Sequence, residues 1–404
     1  MPLKENLNWA RSKVVRSILG LFDLLLIIPF LLVSFLSRLL PRKIDVGLGP
    51  EPLINNVYHK KALVKRGYSA ETFVSNVYFI TDEFDYSLVR WRSIILARTF
   101  IPYWLFLRCL FKYRFLFIYF NGGPLWTTPI LRRLEPFFYK LAGIRIIVMP
   151  YGGDVQVLTR SRNLHFKHSM SIDYPQFRKL RESVRDGVDR WTRHAEWVIS
   201  GCEWVDYMYH WDTLMLGHFS IDVDRWDPHE CRSNKVVKEA TFKILHAPNH
   251  TAVKGTQALL NAVKELKEEN LNIDLNILRG LPNSEIRKAM ISADLVADQF
   301  VIGWYAMFSI EAMAMEKPVL CFLREDLIDL YLKAGLVAID EIPLINTSIL
   351  EVKDRIRWCY FHRAELAEIG KKGRDFVLRH HSTEAVGGVF ADILKRLGLH
   401  SHGL

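Results

Sequence analysis

Between Asp298 and Glu316 the chain reads QFVIGWYAMFSIEAMAM, and Glu311 is the one charge in it. A carboxylate alone on an apolar strand–loop–helix unit is costly to bury unless a partner satisfies it. An ionised carboxylate only accepts hydrogen bonds, so the adjacent hydroxyls of a ribose would satisfy Glu311. A buried salt bridge to a lysine or arginine is the alternative. Lys254 and Gly255 stand beside a helix start in HAPNHTAVKG, with Asn249 and His250 just before them. A lysine next to helix amino-terminal amides suits a phosphate, although an exposed lysine at a helix start is a common feature. Gly303, Trp304 and Tyr305 can turn the chain so that backbone N–H groups reaching through Ala306, Met307 and Phe308 point at a diphosphate.

Asp154 lies in the glycine-flanked loop PYGGDV. It is a candidate for orienting a hydroxyl or contacting a sugar, and equally for capping its own loop. Gly280, Leu281 and Pro282 follow another apolar run. Gly47 and Gly49 occur in GLGP, which is not a dinucleotide fingerprint and implies only flexible backbone near a cleft. Asp222 and Asp224 have the spacing of a metal-binding pair, but they fall in a connecting segment and read as structural. His246 and His250 lack a third ligand. No metal and no cofactor is therefore expected.

These residues need elements to hold them. Short apolar runs at 44–48, 72–75, 115–120, 144–149 and 197–200 read as strands, with helices over 52–66, 128–141 and 175–194. The pattern restarts after Asp222, with strands at 242–247, 275–278, 295–297, 319–323 and 336–339 and a helix over 256–269. Alternation of this kind predicts an α/β fold: parallel sheets covered on both faces. Two series joined near 217–228 predict two Rossmann-like domains, 44–220 and 221–380, with 381–404 as a carboxy-terminal helix packing back on the first. The candidate residues follow strand ends, where such sheets bind ligands, and facing domains would bring them to one cleft.

The 404 residues are enough for two domains. The net charge of +10 favours an anionic partner, whether membrane surface, nucleic acid or phosphorylated ligand, but no nucleic-acid module is recognisable. The five cysteines, at 109, 202, 231, 321 and 359, have no CxxC spacing and read as reduced thiols. Residues 18–36 are almost wholly apolar, and Arg11, Lys13, Arg16, Arg38, Arg42 and Lys43 flank them. A membrane helix is expected within residues 1–43, either spanning or lying in the interface, though Asp23 and Pro29 count against a clean span. Residues 101–120 mix aromatics with Arg108, Lys112 and Arg114, which suits either a headgroup surface or a core helix followed by a buried strand.

Together these stretches resemble a retaining glycosyltransferase of the GT-B fold, of the large family-4 type. IDVDRWDP at 221–228 resembles its interdomain segment, and VKGTQALLNAVKEL its KG helix. SIEAMAMEKPVLCF resembles its E-A-M-A-x-G-K-P-V signature, and HSTEAVGGVFADIL is similar to its carboxy-terminal helix. The resemblance implies that Glu311 holds the nucleotide ribose and Lys254 the donor diphosphate. It also implies that the Gly303–Phe308 loop adds amides and that the segment from Gly280 to Asn283 lies near the base. Three positions depart from the family. Gly303 stands where a second glutamate usually contacts the donor sugar, PNHT lacks the usual arginine before the lysine, and Glu316 replaces a glycine. The expected function is transfer of a sugar from a nucleotide sugar, with retention, to a lipid-linked acceptor at the cytoplasmic face of a membrane. A GT-B sugar-nucleotide epimerase and a catalytically inactive membrane-attached binding protein are the competing readings.

Overall fold

The computed structural model describes residues 13–78, 81–229 and 241–402, so Arg11 and Cys231 lie outside the described residues. Seven strands form the first sheet: β1 (Ile44–Leu48), β2 (Ala70–Val74), β3 (Tyr86–Ser87), β4 (Tyr113–Tyr119), β5 (Arg145–Met149), β6 (Trp197–Gly201) and β7 (Thr213–Met215). All pair in parallel, in the order β3-β2-β1-β4-β5-β6-β7, with Val46 opposite Phe115 and Ile118 opposite Val148. The second sheet contains β8 (Phe242–His246), β9 (Ile273–Ile277), β10 (Leu295–Ala297), β11 (Val319–Cys321) and β12 (Ile345–Asn346). It is also parallel, in the order β12-β11-β10-β8-β9.

Helices cover both faces, which is why β4, YRFLFIY, is apolar on successive residues and buried almost throughout. The strand order reverses between β1 and β4 in one sheet and between β8 and β10 in the other. Ligands bind at such switch points in open α/β sheets. The segments that follow β1, β4, β8 and β10 are those carrying Glu51, Asn121, Lys254 and Gly303.

One expected strand is absent. Residues 336–339 form a turn, and the last strand is β12 instead. Helix Glu325–Lys333 ends into Gly335 at φ +68°, Leu336 N–H bonds back to Tyr331 O, and Ile339 is 79% exposed. An apolar tetrapeptide after a left-handed glycine closes the helix end here rather than entering the sheet.

Helix Thr383–Arg396 packs on helix Ile54–Lys65 of the first sheet's layer. Val386, Phe390 and Ile393 share a core with β1 and β4 residues. Ser382 caps the helix through Ala385 N–H, and Ile221 exchanges backbone bonds with His381 and Thr383. Helix Ile95–Lys112 buries Tyr103, Phe106 and Cys109 and exposes Trp104, so the aromatic–basic segment is core on one side and surface on the other. Helix Lys13–Ser37 contacts that helix and helix Leu131–Ala142. The cysteines at 109, 202, 321 and 359 are buried free thiols.

Candidate functional site

Glu311 lies inside helix Met307–Ala314, 5% exposed. Asn283 Nδ2 donates to its Oε1 at 2.8 Å. Burial pushes its carboxyl up to about 8, the like charge of Asp298 pushes the same way, and the Asn283 bond only partly opposes them. The expected alternative of a salt bridge is not what is found, because an amide and not a cation meets this carboxylate. At the mouth of the same helix, Ala306 offers no side chain to the first-turn amides. Those donors are left to whatever enters the mouth. Asn283 opens helix Asn283–Ser292, directly after the exposed loop of Gly280, Leu281 and Pro282.

Gln299 shapes the loop between β10 and this helix. Its Oε1 accepts from Val301 N–H at 3.0 Å and Ile302 N–H at 2.7 Å, and its Nε2 donates to Trp304 O and Phe322 O. Trp304 and Tyr305 are 1% exposed. Trp304 Nε1 donates to Leu216 O, and Tyr305 Oη bonds His381 Nε2. Their side chains fasten the loop to the segment just after β7 and to the turn before helix Thr383–Arg396, so only their backbone can serve a ligand.

Gly303 has φ +98°, and a Cβ there would lie 2.6 Å from Cγ and Cδ of Arg324. Arg324 forks onto Asp206 at 2.6 and 3.1 Å and also bonds Asp326. The position that carries a glutamate in the resembling family is therefore filled from the side by an arginine, and the chain leaves it without a side chain. Glu316 has φ +55°, a left-handed conformation that a glycine adopts without strain. Its carbonyl packs so closely on Gly370 that a Cβ on that glycine would lie 2.0 Å from the oxygen.

Lys254 Nζ is ion-paired with Asp298, whose side chain is fully buried and also accepts from Ser309 Oγ at 2.6 Å. This triangle ties the KG segment to the helix of Glu311. Gly255, at φ +71°, separates helix Thr251–Lys254 from helix Thr256–Glu268. His250 bonds Tyr174 Oη at 2.6 Å, and burial lowers its imidazole pKa. Asp173 accepts from Val253 N–H at 2.8 Å and from Ala252 N–H at 3.3 Å. Helix Leu164–Asp173 thus closes over the KG segment, while Asn249 stays exposed.

On the facing sheet, Asp154 is 1% exposed and accepts N–H bonds from Phe120 and Tyr151 at 2.9 Å and from Gly152 at 3.0 Å. Burial lifts it to about 7. Both oxygens are committed to backbone, so Asp154 holds the two loops together and is not aimed at a ligand. Gly47 and Gly49 are not flexible backbone either. A Cβ on Gly47 would lie 2.6 Å from the Tyr113 ring, and one on Gly49 2.1 Å from Phe73 O. These glycines let β1 pass its neighbours and deliver Glu51 to the end of the sheet. Glu51 is 8% exposed, bonded by Tyr78 Oη, and raised by burial. Asn121 donates to Tyr151 Oη at 2.7 Å beside it.

Sequence reading missed Glu51, Asp298, Gln299 and Asp173. A lone acid in the apolar stretch around GLGPEPL was the available signal for Glu51. His246 is a core histidine, bonded to Ala297 O and Thr256 Oγ1, and burial holds it near 4. Asp222 pairs with Lys61 of helix Ile54–Lys65, a structural role.

No protein-family model matches the chain, and no curated protein matches it in sequence. Solved structures do match in shape. A sucrose-phosphate synthase from Thermosynechococcus elongatus superposes with a TM-score of 0.55 at 13% identity, over 88% of this chain and 99% of that one. HepE from Anabaena, solved in complex with UDP-glucose, superposes with a TM-score of 0.54 at 13% identity, over 88% of this chain and 100% of that one. The chain has the GT-B fold. Within that fold the Glu311 helix, the KG segment and the Glu51 loop all lie at the carboxyl ends of strands.

Proposed function

We propose that the protein is a glycosyltransferase of the retaining family-4 type, moving a sugar from a nucleotide sugar to a lipid-linked acceptor in surface polysaccharide or glycolipid synthesis. In this reading residues 44–220 form the acceptor side and 221–380 the donor side, with 381–404 strapping one to the other. The observation that carries it is Glu311: a buried carboxylate with one amide donor, on a helix whose mouth has no capping side chain. Two ribose hydroxyls supply the donors it lacks, and the helix mouth receives the diphosphate. Charge grows on the diphosphate as the glycosidic bond breaks. The amides from Gly303 to Phe308 and Lys254 stabilise that charge, which is electrostatic catalysis. Lys254 shares its charge with Asp298, so the amides carry more of the work than in an enzyme with a free lysine there. That HepE was solved with UDP-glucose supports a nucleotide-sugar donor by fold analogy.

One observation favours a second reading. Arg324 fills the place beside Gly303, so the donor sugar has no glutamate there, as in a protein that binds a nucleotide sugar without transferring it. The test is to incubate the membrane-bound protein with a panel of nucleotide sugars and membrane lipid extract and follow nucleotide release. Release that Glu311→Ala abolishes supports transfer. Binding without release from any donor supports the second reading and sinks the first.

A further inference from the structure

Helix Lys13–Ser37 is about 37 Å long and has two unlike faces. One is bound to the protein. Asp23 is fully buried and accepts from Tyr103 Oη at 2.8 Å and from Ile130 N–H at 2.7 Å, while Phe30 stacks on Phe106. The other face exposes Ile18, Leu21, Leu25, Ile28, Leu32 and Phe35, with Leu25 75% and Ile28 68% exposed. These residues recur at alternating steps of three and four, so they form one stripe. Spanning a bilayer would strip Asp23 of its donors and leave a carboxyl in hydrocarbon. A helix lying in the interface keeps them and still wets its stripe with lipid.

The stripe runs into a group of cations. Just past the helix, Arg38, Arg42, Lys140 and Arg145 line a cavity of about 360 Å³ with Glu196. Among the described residues none of the four is ion-paired to an acid. Arg42 is held in place by bonds to Leu110 O at 2.9 Å and Ala142 O at 2.7 Å, neither of which neutralises it. Glu196 feels Arg145 and Lys140 as charges without bonding either. Leu39, 70% exposed, sits next to Arg38, and Phe137, 55% exposed, lies one turn before Lys140. Apolar surface and an excess of cations, four against the one carboxylate of Glu196, thus meet at one edge. The cavity lies at the amino ends of β5 and β6, where Arg145 opens one strand and Glu196 precedes the other, away from the carboxyl-end loops of the sheet.

We propose that this face docks in the surface of an anionic membrane and that the cavity takes the phosphate of an acidic phospholipid. The site deepens the lipid-linked acceptor reading proposed above without resting on the transfer chemistry. Vesicle binding is read with no donor present, so either can fail alone.

The experiment is co-sedimentation of the full chain with phosphatidylcholine vesicles, with and without phosphatidylglycerol, beside thermal unfolding of each variant. Lys140→Gln and Arg145→Gln are expected to weaken binding to the anionic vesicles about fivefold each and to leave the neutral ones unchanged. Leu25→Ser with Ile28→Ser weakens binding to both. Cation variants that unfold normally yet bind anionic vesicles like the parent overturn the headgroup site. Displacement from vesicles by low-millimolar inorganic phosphate, with phosphate still stabilising the Leu25→Ser/Ile28→Ser protein, assigns the cavity to a free anion and overturns the lipid. Retention in membranes after alkaline carbonate extraction overturns the interfacial placement.

Discussion

Three buried carboxyls invite comparison, Asp154 and Glu135 on the first sheet's side of the molecule and Glu311 on the second's. Burial is the largest influence on all of them, raising Asp154 and Glu135 to about 7 and Glu311 to about 8. Their supply of donors differs. Asp154 has three backbone amides; Glu135 has the amides of Gly123 and Leu125 and the hydroxyl of Tyr139. Glu311 has one side-chain amide. A backbone N–H on a packed loop cannot move away, so the first two carboxyls are structural pins. An underserved carboxyl beside an uncapped helix mouth has capacity left for a ligand. A perturbed acidity alone therefore does not mark the site here; donor supply does.

The sharpest way to break this contrast is Asp154→Ala. It strands three N–H groups, two of them on buried residues at about 1–3 kcal/mol each, and is expected to lower stability by roughly 3–5 kcal/mol in urea unfolding. A loss below about 1 kcal/mol would return Asp154 to the list of ligand-facing residues. Glu311→Ala should do the opposite. Nucleotide-sugar affinity, measured by calorimetry, is expected to fall about 30-fold, or about 2 kcal/mol, with no loss of stability in unfolding at neutral pH. Equal effects on affinity and stability would make the two regions alike.

Acidity sharpens the contrast further. Binding that needs an ionised Glu311 releases its proton, so affinity should rise with pH up to about 8 and level off above it. Glu311→Gln should flatten that slope. The same carboxyl sits above its ordinary value of 4.5, so its contribution to stability is fully present below 4.5 and is lost as pH rises through about 8. The Gln variant should consequently lose less stability than the parent between those limits, read from thermal unfolding. The smallest expected effect is at Glu316. Replacing it by glycine removes a left-handed strain and should stabilise by about 0.5 kcal/mol, while leaving nucleotide binding unchanged.

Much of the scaffold was legible in the residues. The runs around β4, β8 and β10 are apolar on both faces, as interior parallel strands must be, and each begins or ends within a few residues of its expected place. Residues 336–339 are equally apolar but follow a left-handed glycine, a backbone state that composition does not report. The N-terminal segment announced its hydrophobicity, but its two unlike faces depend on Tyr103 and Ile130, about a hundred residues away.

The site divides in the same way. That Glu311 needs a partner followed from the chain alone, because a single charge in an apolar unit must be satisfied wherever that unit is buried. Which partner it has, an asparagine and not an arginine, followed only from how helix Asn283–Ser292 packs beside it. Lys254 was visible as a cation, but Asp298, which neutralises it, lies on a neighbouring strand end. Gly303 was visible as a missing side chain, but Arg324, which fills the gap and bonds Asp206, was not. Residue types and their local periodicity set what chemistry the chain can offer. Hydrogen-bond saturation and charge pairing are decided between residues distant in sequence, and those pairings exist only once the sheets have formed and the loops at their strand ends have packed.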